Sequence, residues 1–288
     1  MKIMIALDGS PASEVSIQEA VSRPWPAHSE FSLITAVDPF FFVRAPMVLA
    51  EAKRATQQAL DDSAQKLTSA GWLTTTTIVL EKPRHVIYKA AEDWKADLIM
   101  LGSRGHGTFK RLLLGSTAQA ILRHAHCSVE IVRAAPAKTA AGQGLKVLVP
   151  TDGSDCAEKA LKSIASRPWP KDSQFRAISC PEFPMLLGDY PFFGGEQLSD
   201  LTQTSEDHSR EAVQKSTSLL QNSGLTVQTE VTAPKDTPAE SIVSAAEIWR
   251  ADLIVMGSHG KRGFDRLVLG SVSESVAMHA HCSVEVVR

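Results

Sequence analysis

Long apolar runs are missing from this 288-residue chain, and no stretch approaches the length needed to span a bilayer. Its opening, Met1-Lys2-Ile3-Met4-Ile5-Ala6-Leu7, reaches Asp8 too soon for a signal peptide. Cysteine is scarce: four residues without a framework spacing point to reduced thiols and a cytoplasmic protein rather than a disulfide-stapled secreted one. Charge of one sign is lacking as well. Thirty basic residues against 32 acidic leave a net charge of -2, so no general electrostatic drive towards nucleic acid or acidic membranes is expected. Several catalytic signatures are absent: no G-x-x-x-x-G-K-[ST] loop, no G-x-S-x-G elbow, no H-E-x-x-H. No residue stands out as a base poised to activate water, which argues against a fast ATPase.

What is present is the composition of a soluble globular protein, 43% hydrophobic and 22% charged, and length enough for two domains with a core each. The sequence repeats itself. Asp8-Gly9-Ser10 recurs as Asp152-Gly153-Ser154, and Arg23-Pro24-Trp25-Pro26 as Arg167-Pro168-Trp169-Pro170. His124 to Arg133 (HAHCSVEIVR) returns as His279 to Arg288 (HAHCSVEVVR). The offset grows from 144 residues (Asp8 to Asp152) to 155 (His124 to His279), so the second copy carries extra residues in its middle. Residues 134–144 (AAPAKTAAGQG) read as a linker between a domain at 1–133 and another at 145–288.

Within the first copy, strands are expected at Lys2–Leu7, Phe31–Val37, Thr74–Leu80, Asp97–Leu101 and Ser128–Val132. Helices are expected from Ser10-Pro11 to about Ser22, Val48 to Ala70, Arg84 to Lys95 and Ser116 to about His124. In the second copy strands fall near Lys146–Val149, Gln174–Ser179, Thr226–Val231, Asp252–Met256 and Ser283–Val287. Strand-helix alternation with buried-looking strands implies an α/β fold: two tandem doubly wound domains, each a parallel sheet flanked by helices. Ligands of such sheets sit outside the strands' carboxyl ends where the strand order reverses. Asp8 and Asp152 are placed at the end of each first strand; if first and fourth strands are neighbours, acid and glycine loop flank one cleft.

That loop is the chain's most informative stretch. Leu101 to Ser116 (LGSRGHGTFKRLLLGS) recurs as Met256 to Ser271 (MGSHGKRGFDRLVLGS). Each has a glycine, a second three on, and a Gly-Ser pair after nine intervening residues: Gly102, Gly105, Gly115, Ser116, then Gly257, Gly260, Gly270, Ser271. Ser116 with Gln119 and Ser271 with Glu274 match capping boxes, which predicts the serines as N-caps. A helix N-terminus offers unpaired N–H groups and partial positive charge, and glycines beside it let an anion reach the backbone. A phosphate is the natural guest. The plainer reading is a strand-to-helix connection; the same spacing in both copies favours phosphate.

With that loop the chain resembles the universal stress protein family in its tandem form, over nearly its whole length, and the G-2x-G-9x-G-[ST] spacing marks that family's ATP-binding members. The resemblance implies five-stranded sheets of order 3-2-1-4-5, pairing that often occurs through the last strand, intrachain pairing of the two domains, and a homodimer. It implies phosphates against Gly102, Gly105, Gly115, Ser116 and Thr117, and against Gly257, Gly260, Gly270, Ser271 and Val272. Asp8 and Asp152 would lie near ribose and adenine, with adenine contacts at Ala6 and Val37, then at Pro150 and Cys180. Cys180, followed by Pro181, stands where the family has Val or Ile. Leu101 and Met256, which open the two loops, complete the expected site.

Arg104, Lys110 and Arg111, with His259, Lys261, Arg262 and Arg266, put cations in or beside the loops, to screen phosphate or simply to meet solvent. Asp8 and Asp152 could hold Mg²⁺ through water, or stabilise the following helix. His124-x-His126-Cys127 and His279-x-His281-Cys282 look like metal ligands, but no second cluster completes a tetrahedral site, so an interface role is preferred. The apolar stretches Pro39–Val43 and Phe183–Phe193 could pack between domains or chains, or cover a lipophilic ligand. Trp25, Trp94, Trp169 and Trp249 are expected in the core. The leading functional reading is an ATP-binding module for stress response whose contacts report nucleotide state. A slow ATPase and a scaffold or lipophilic-ligand binder are the alternatives.

Overall fold

A strand buried on both faces must be apolar throughout, and β1 (Lys2–Ala6) meets that demand: Ile3 and Ile5 are fully buried, Met4 and Ala6 nearly so. The computed structural model describes residues 1–42, 46–105, 114–133, 143–181, 195–233, 237–260 and 269–288. It divides into two compact units, one of Met1–Gln143 with Pro168–Lys171, the other of Gly144–Arg167 with Asp172–Arg288.

In the first unit β1 pairs in parallel with β2 (Glu30–Ala36) on one side and β4 (Leu98–Gly102) on the other, with Ile5 in register with both Leu33 and Met100. β3 (Leu73–Val79) lies outside β2, and β5 (Ser128–Val132) outside β4. The order is therefore 3-2-1-4-5, all parallel. α1 (Pro11–Ser22) packs beside α2 (Pro46–Ser69), and α3 (Pro83–Trp94) beside α4 (Ser116–His124), one pair on each face. Right-handed crossovers run one way from β1 to β3, then back across β1 to β4. That reversal opens the carboxyl ends of β1 and β4 to a ligand.

The second unit repeats the plan. β6 (Lys146–Pro150) pairs with β7 (Gln174–Ser179) and β9 (Leu253–Gly257); β8 (Val227–Val231) and β10 (Ser283–Val287) lie outside them. α5 (Asp155–Ala165) packs on α6 (Gly195–Asn222), and α7 (Pro238–Trp249) on α8 (Ser271–His279). Among the described residues no helix is long and apolar enough to cross a membrane.

Local signals explain most element starts. Ser10 caps α1, its Oγ accepting from Ser13 N at 3.3 Å, with Pro11 at the first helical position. Ser154 caps α5 in the same way, and Thr237 with Glu240 closes a full capping box on α7. α2 begins at Pro46 rather than Val48, since proline's fixed φ suits a helix start. The tryptophans divide. Trp25 and Trp249 are buried, but Trp94 and Trp169 are only half-buried. Trp94 sits at the helix end under the Lys2 ammonium, 5.5 Å from the ring centre, where a large amphipathic ring covers the core edge instead of filling it.

One buried interaction joins two of the repeated motifs. Arg23, 5% exposed, donates from Nη1 to Glu130 Oε2 at 2.9 Å and from Nη2 to Oε1, while its Nε donates to Glu19 at 2.8 Å. Glu130, in the middle of β5, is fully buried. Burial alone pulls the guanidinium down, yet the Glu130 and Glu19 charges leave it raised, so it stays charged. Arg167 grips Glu285 on β10 identically, Nη1 to Oε2 at 2.9 Å. Removing one partner strands a buried charge. Glu130→Ala is expected to cost the first domain roughly 3–5 kcal/mol in urea unfolding, with the pair replacement Arg23→Met plus Glu130→Met recovering most of it.

Candidate functional site

The turn after β1 aims a carboxylate at the switch point. β1 ends at Ala6 and Leu7 N still reaches Ile34 O at 2.9 Å, so Asp8 stands in the turn two residues beyond the strand rather than at its end. Gly9 takes φ 76°, a left-handed conformation that glycine enters at no steric cost. Asp8 Oδ1 then accepts from Ser10 N at 3.0 Å, which fixes the side chain at the start of α1. Gly153 (φ 76°) and the Ser154 N to Asp152 Oδ1 bond, also 3.0 Å, reproduce the turn after β6.

The glycine loop meets this turn from β4. At Gly102 a Cβ would lie 2.7 Å from Ala12 carbonyl carbon, so the strand end presses on the first turn of α1. At Gly105 a Cβ would fall on Asp8 Oδ2. Acid and loop therefore meet at the carboxyl ends of β1 and β4, and the missing Cβ makes room for the carboxylate. In the second domain Gly257 presses on Cys156, 2.5 Å from its carbonyl carbon, and a Cβ on Gly260 would be 2.5 Å from Asp152 Oδ2. Ser103 N holds Val132 O at 3.0 Å and Ser103 O takes Gly115 N at 2.8 Å; Ser258 does the same with Val287 and Gly270. These buried serines pin both ends of the loop. Their recurrence beside the first glycine was the available signal, overshadowed by the glycines.

The helix starts correct one expectation. Ser116 and Ser271 are not N-caps and the capping boxes do not form: Gly115 and Gly270 hold that position, extended at φ -60° and -68°, without any side-chain cap. The serines are first helical residues and exposed. Opening N–H groups of a helix have no intrahelical partner, so a glycine cap leaves them for an outside acceptor. The S-x-x-Q/E pattern misleads because a glycine just before it can cap in extended conformation through its carbonyl, which accepts from Gln119 N or Glu274 N at 2.9 Å.

Other expected site residues fall around this opening. Ala6 and Pro150 end β1 and β6, Val37 and Cys180 follow β2 and β7, and Thr117 and Val272 are half-buried in the first turns of α4 and α8. Leu101 and Met256 are core residues of β4 and β9. Burial pushes the Cys180 thiol up to about 11, so it acts there as a small neutral hydrophobe.

The sequence pattern of the universal stress protein family matches residues 1–133 and again 145–288. The chain belongs to the universal stress protein family. A universal stress protein of Mycolicibacterium smegmatis is 28% identical over 305 residues, covering 99% of this chain and 96% of its own. One from Methanocaldococcus jannaschii is 36% identical over 143 residues, half of this chain and 81% of its own. A crystal structure of the Archaeoglobus fulgidus universal stress protein superposes with a TM-score of 0.67 at 21% identity, covering 100% of this chain and 96% of its own, which supports the tandem fold.

The two universal stress protein repeats differ in how they tie loop to turn. In the first, Ser10 Oγ donates to Arg104 O at 3.3 Å and the Arg104 side chain is exposed. In the second, His259 is half-buried and engaged inside the protein, its Nε2 3.3 Å from Cys156 Sγ. Lys110, Arg111, Lys261, Arg262 and Arg266 lie outside the described residues, as do Val43, the apolar stretch Phe183–Phe193 and most of the linker. Of the other apolar stretch, Pro39–Phe42 forms a short 3₁₀ turn with Phe40 76% exposed. In the HAHC segments His124, His126 and His279 are exposed, His281 is half-buried, and Cys127 and Cys282 are buried. Among the described residues no three His, Cys, Asp or Glu side chains gather as metal ligands.

These contacts separate glycines that shape the fold from those that shape the cleft. Gly102→Ala should destabilise the first domain by about 1–3 kcal/mol, because backbone blocks its Cβ. Gly105→Ala should leave the thermal midpoint almost unchanged, since only the Asp8 carboxylate must move. Differential scanning fluorimetry of both variants makes the comparison.

Proposed function

We propose that each domain binds an adenine nucleotide, ATP, with its phosphates on the N-terminus of α4 or α8, and that the chain acts in the stress response as a nucleotide-dependent binding module. The observation carrying this reading is the paired glycine N-cap. Gly115 and Gly270 leave the opening N–H groups of two helices without a side-chain cap, at the carboxyl edge of the sheet where strand order reverses. Helix partial charge favours an anion at that spot, and the bare backbone of Gly105 and Gly260 lets the loop lie against the Asp8 and Asp152 carboxylates beside it.

Asp8 and Asp152 face the same opening from the β1 and β6 turns. A carboxylate beside phosphates suits a hard divalent cation, so Mg²⁺ carried by the nucleotide fits, with the aspartates acting through water. Ala6 with Val37, and Pro150 with Cys180, offer the small apolar edge against which an adenine ring would lie. Cytoplasmic residence accords with this role.

Chromatography of the supernatant from denatured, freshly purified protein should reveal adenine nucleotide. Calorimetric titration of nucleotide-free protein should give two ATP per chain, falling to one in Gly115→Val and one in Gly270→Val, with affinity at the altered site down at least ~10-fold, or about 1.4 kcal/mol. Two sites of undiminished affinity in both variants would place the nucleotide elsewhere.

A further inference from the structure

The second domain contains a run of thiol, imidazole and hydroxyl that the first lacks. Cys156 is the second residue of α5, 7% exposed, with its Sγ 3.3 Å from His259 Nε2. The other ring nitrogen, Nδ1, lies 3.0 Å from Oγ of the buried Ser258. Nucleophile, base and a third group orienting the base thus stand in one line. The contact exists because Gly257 has no side chain: a Cβ there would be 2.5 Å from the Cys156 carbonyl carbon, so the strand end and the first helical turn meet closely enough for His259 to cover the thiol. In the first domain Ala12 and Arg104 occupy the matching positions, and only the serine, Ser103, is shared.

We infer that Cys156 is a modification site, a nucleophilic thiol that takes low-molecular-weight disulfides with His259 as its base. With the imidazole proton on Nδ1 and donated to Ser258 Oγ, His259 Nε2 accepts the Cys156 thiol proton. The thiolate attacks one sulfur of the small disulfide; a new S–S bond forms to Cys156 and the reagent's own S–S bond breaks. The departing thiolate recovers the proton from His259. The small disulfide is the oxidant, and one of its halves leaves as thiol. Cys180, whose thiol burial pushes up to about 11 and which has no histidine beside it among the described residues, serves as the reference cysteine. The adduct would stand between the Asp152 turn and the Gly257–Gly260 loop. Resting on the nucleotide reading above, it would exclude ATP from the second domain alone.

The test uses the full chain and limiting methyl methanethiosulfonate, a small sulfur electrophile, with labelling of each cysteine followed by peptide mass spectrometry. Cys156 should label first. His259→Arg, which installs the first domain's residue, should slow Cys156 at least ~10-fold while Cys127, Cys180 and Cys282 keep their rates. If that variant unfolds on heating below the parent midpoint, His259→Gln makes the same measurement. Cys156 labelling no faster than Cys180, or at an unchanged rate in the histidine variants, overturns the inference. Saturating ATP should protect Cys156. A fast, histidine-dependent Cys156 that ATP leaves unprotected upholds the thiol and removes the nucleotide from the second domain.

Discussion

Gly102 and Gly257 stand where a strand end meets the first turn of a helix, with backbone atoms 2.7 and 2.5 Å from where a Cβ would be. Everything at the two sites follows from that approach. It brings the loop after β4 against the turn after β1, so that Gly105 faces Asp8 and Gly260 faces Asp152. It also fixes where the loop returns, because Ser103 and Ser258 each spend their backbone on two bonds, one to the last strand and one to the glycine that starts the next helix. A larger residue at the first glycine would separate strand from helix, and the cleft would lose its floor before any ligand was considered. The anion site proposed above would thus be built chiefly from backbone, whose donors need no side chain to reorganise.

A second constraint ties the sheet's last strand to the end of the first helix. Arg23 to Glu130 and Arg167 to Glu285 are buried pairs joining residues 107 and 118 positions apart. Such pairs add little net stability compared with apolar residues of equal size, since desolvation offsets most of the attraction. Their effect is on register. A glutamate in the middle of β5 or β10 can be buried only when the strand sits where the guanidinium can reach it, and slipping by one residue would bury a bare carboxylate. The near-identity of the two HAHCSVE segments, and of the two R-P-W-P segments, gains a physical reason here: each supplies half of one interaction.

Much of this was legible beforehand. The repeats and the strand positions follow from periodicity and spacing, which local chemistry dictates; the meeting of acid and glycine loop followed only once the resemblance made the first and fourth strands neighbours. Three features were not legible, and each depends on distance or competition. Whether Gly115 or Ser116 caps α4 turns on two acceptable alternatives, and the glycine prevails because its carbonyl and N–H are both already committed to the fold. The link between Arg23 and Glu130 spans most of a domain. His259 looked like a loop cation because nothing nearby in sequence signals that Cys156, 103 residues earlier, waits under it. Periodicity carries information over tens of residues; side-chain meetings across the switch point need the topology first.

The pattern of difference between the repeats then becomes an argument about how the two sites are used. Positions that match across the copies are the aspartate of the turn, the first two glycines of the loop, the pinning serine, the glycine cap, and the buried arginine and glutamate. Positions that differ lie on the turns and strand ends around the switch point: Ala12 against Cys156, Val37 against Cys180, Arg104 against His259, Thr117 against Val272. A Cβ at Gly105 or Gly260 would meet only a turn carboxylate, whereas one at Gly270 would press on the backbone of Ser258 and His259. Under the proposed function both repeats share the backbone grip on an anion, while the side chains around it have separate chemistry: a guanidinium in the first domain, a thiol and imidazole in the second. Two sites built alike at the backbone and unlike at the side chains can hold the same kind of anion and still answer differently to their surroundings.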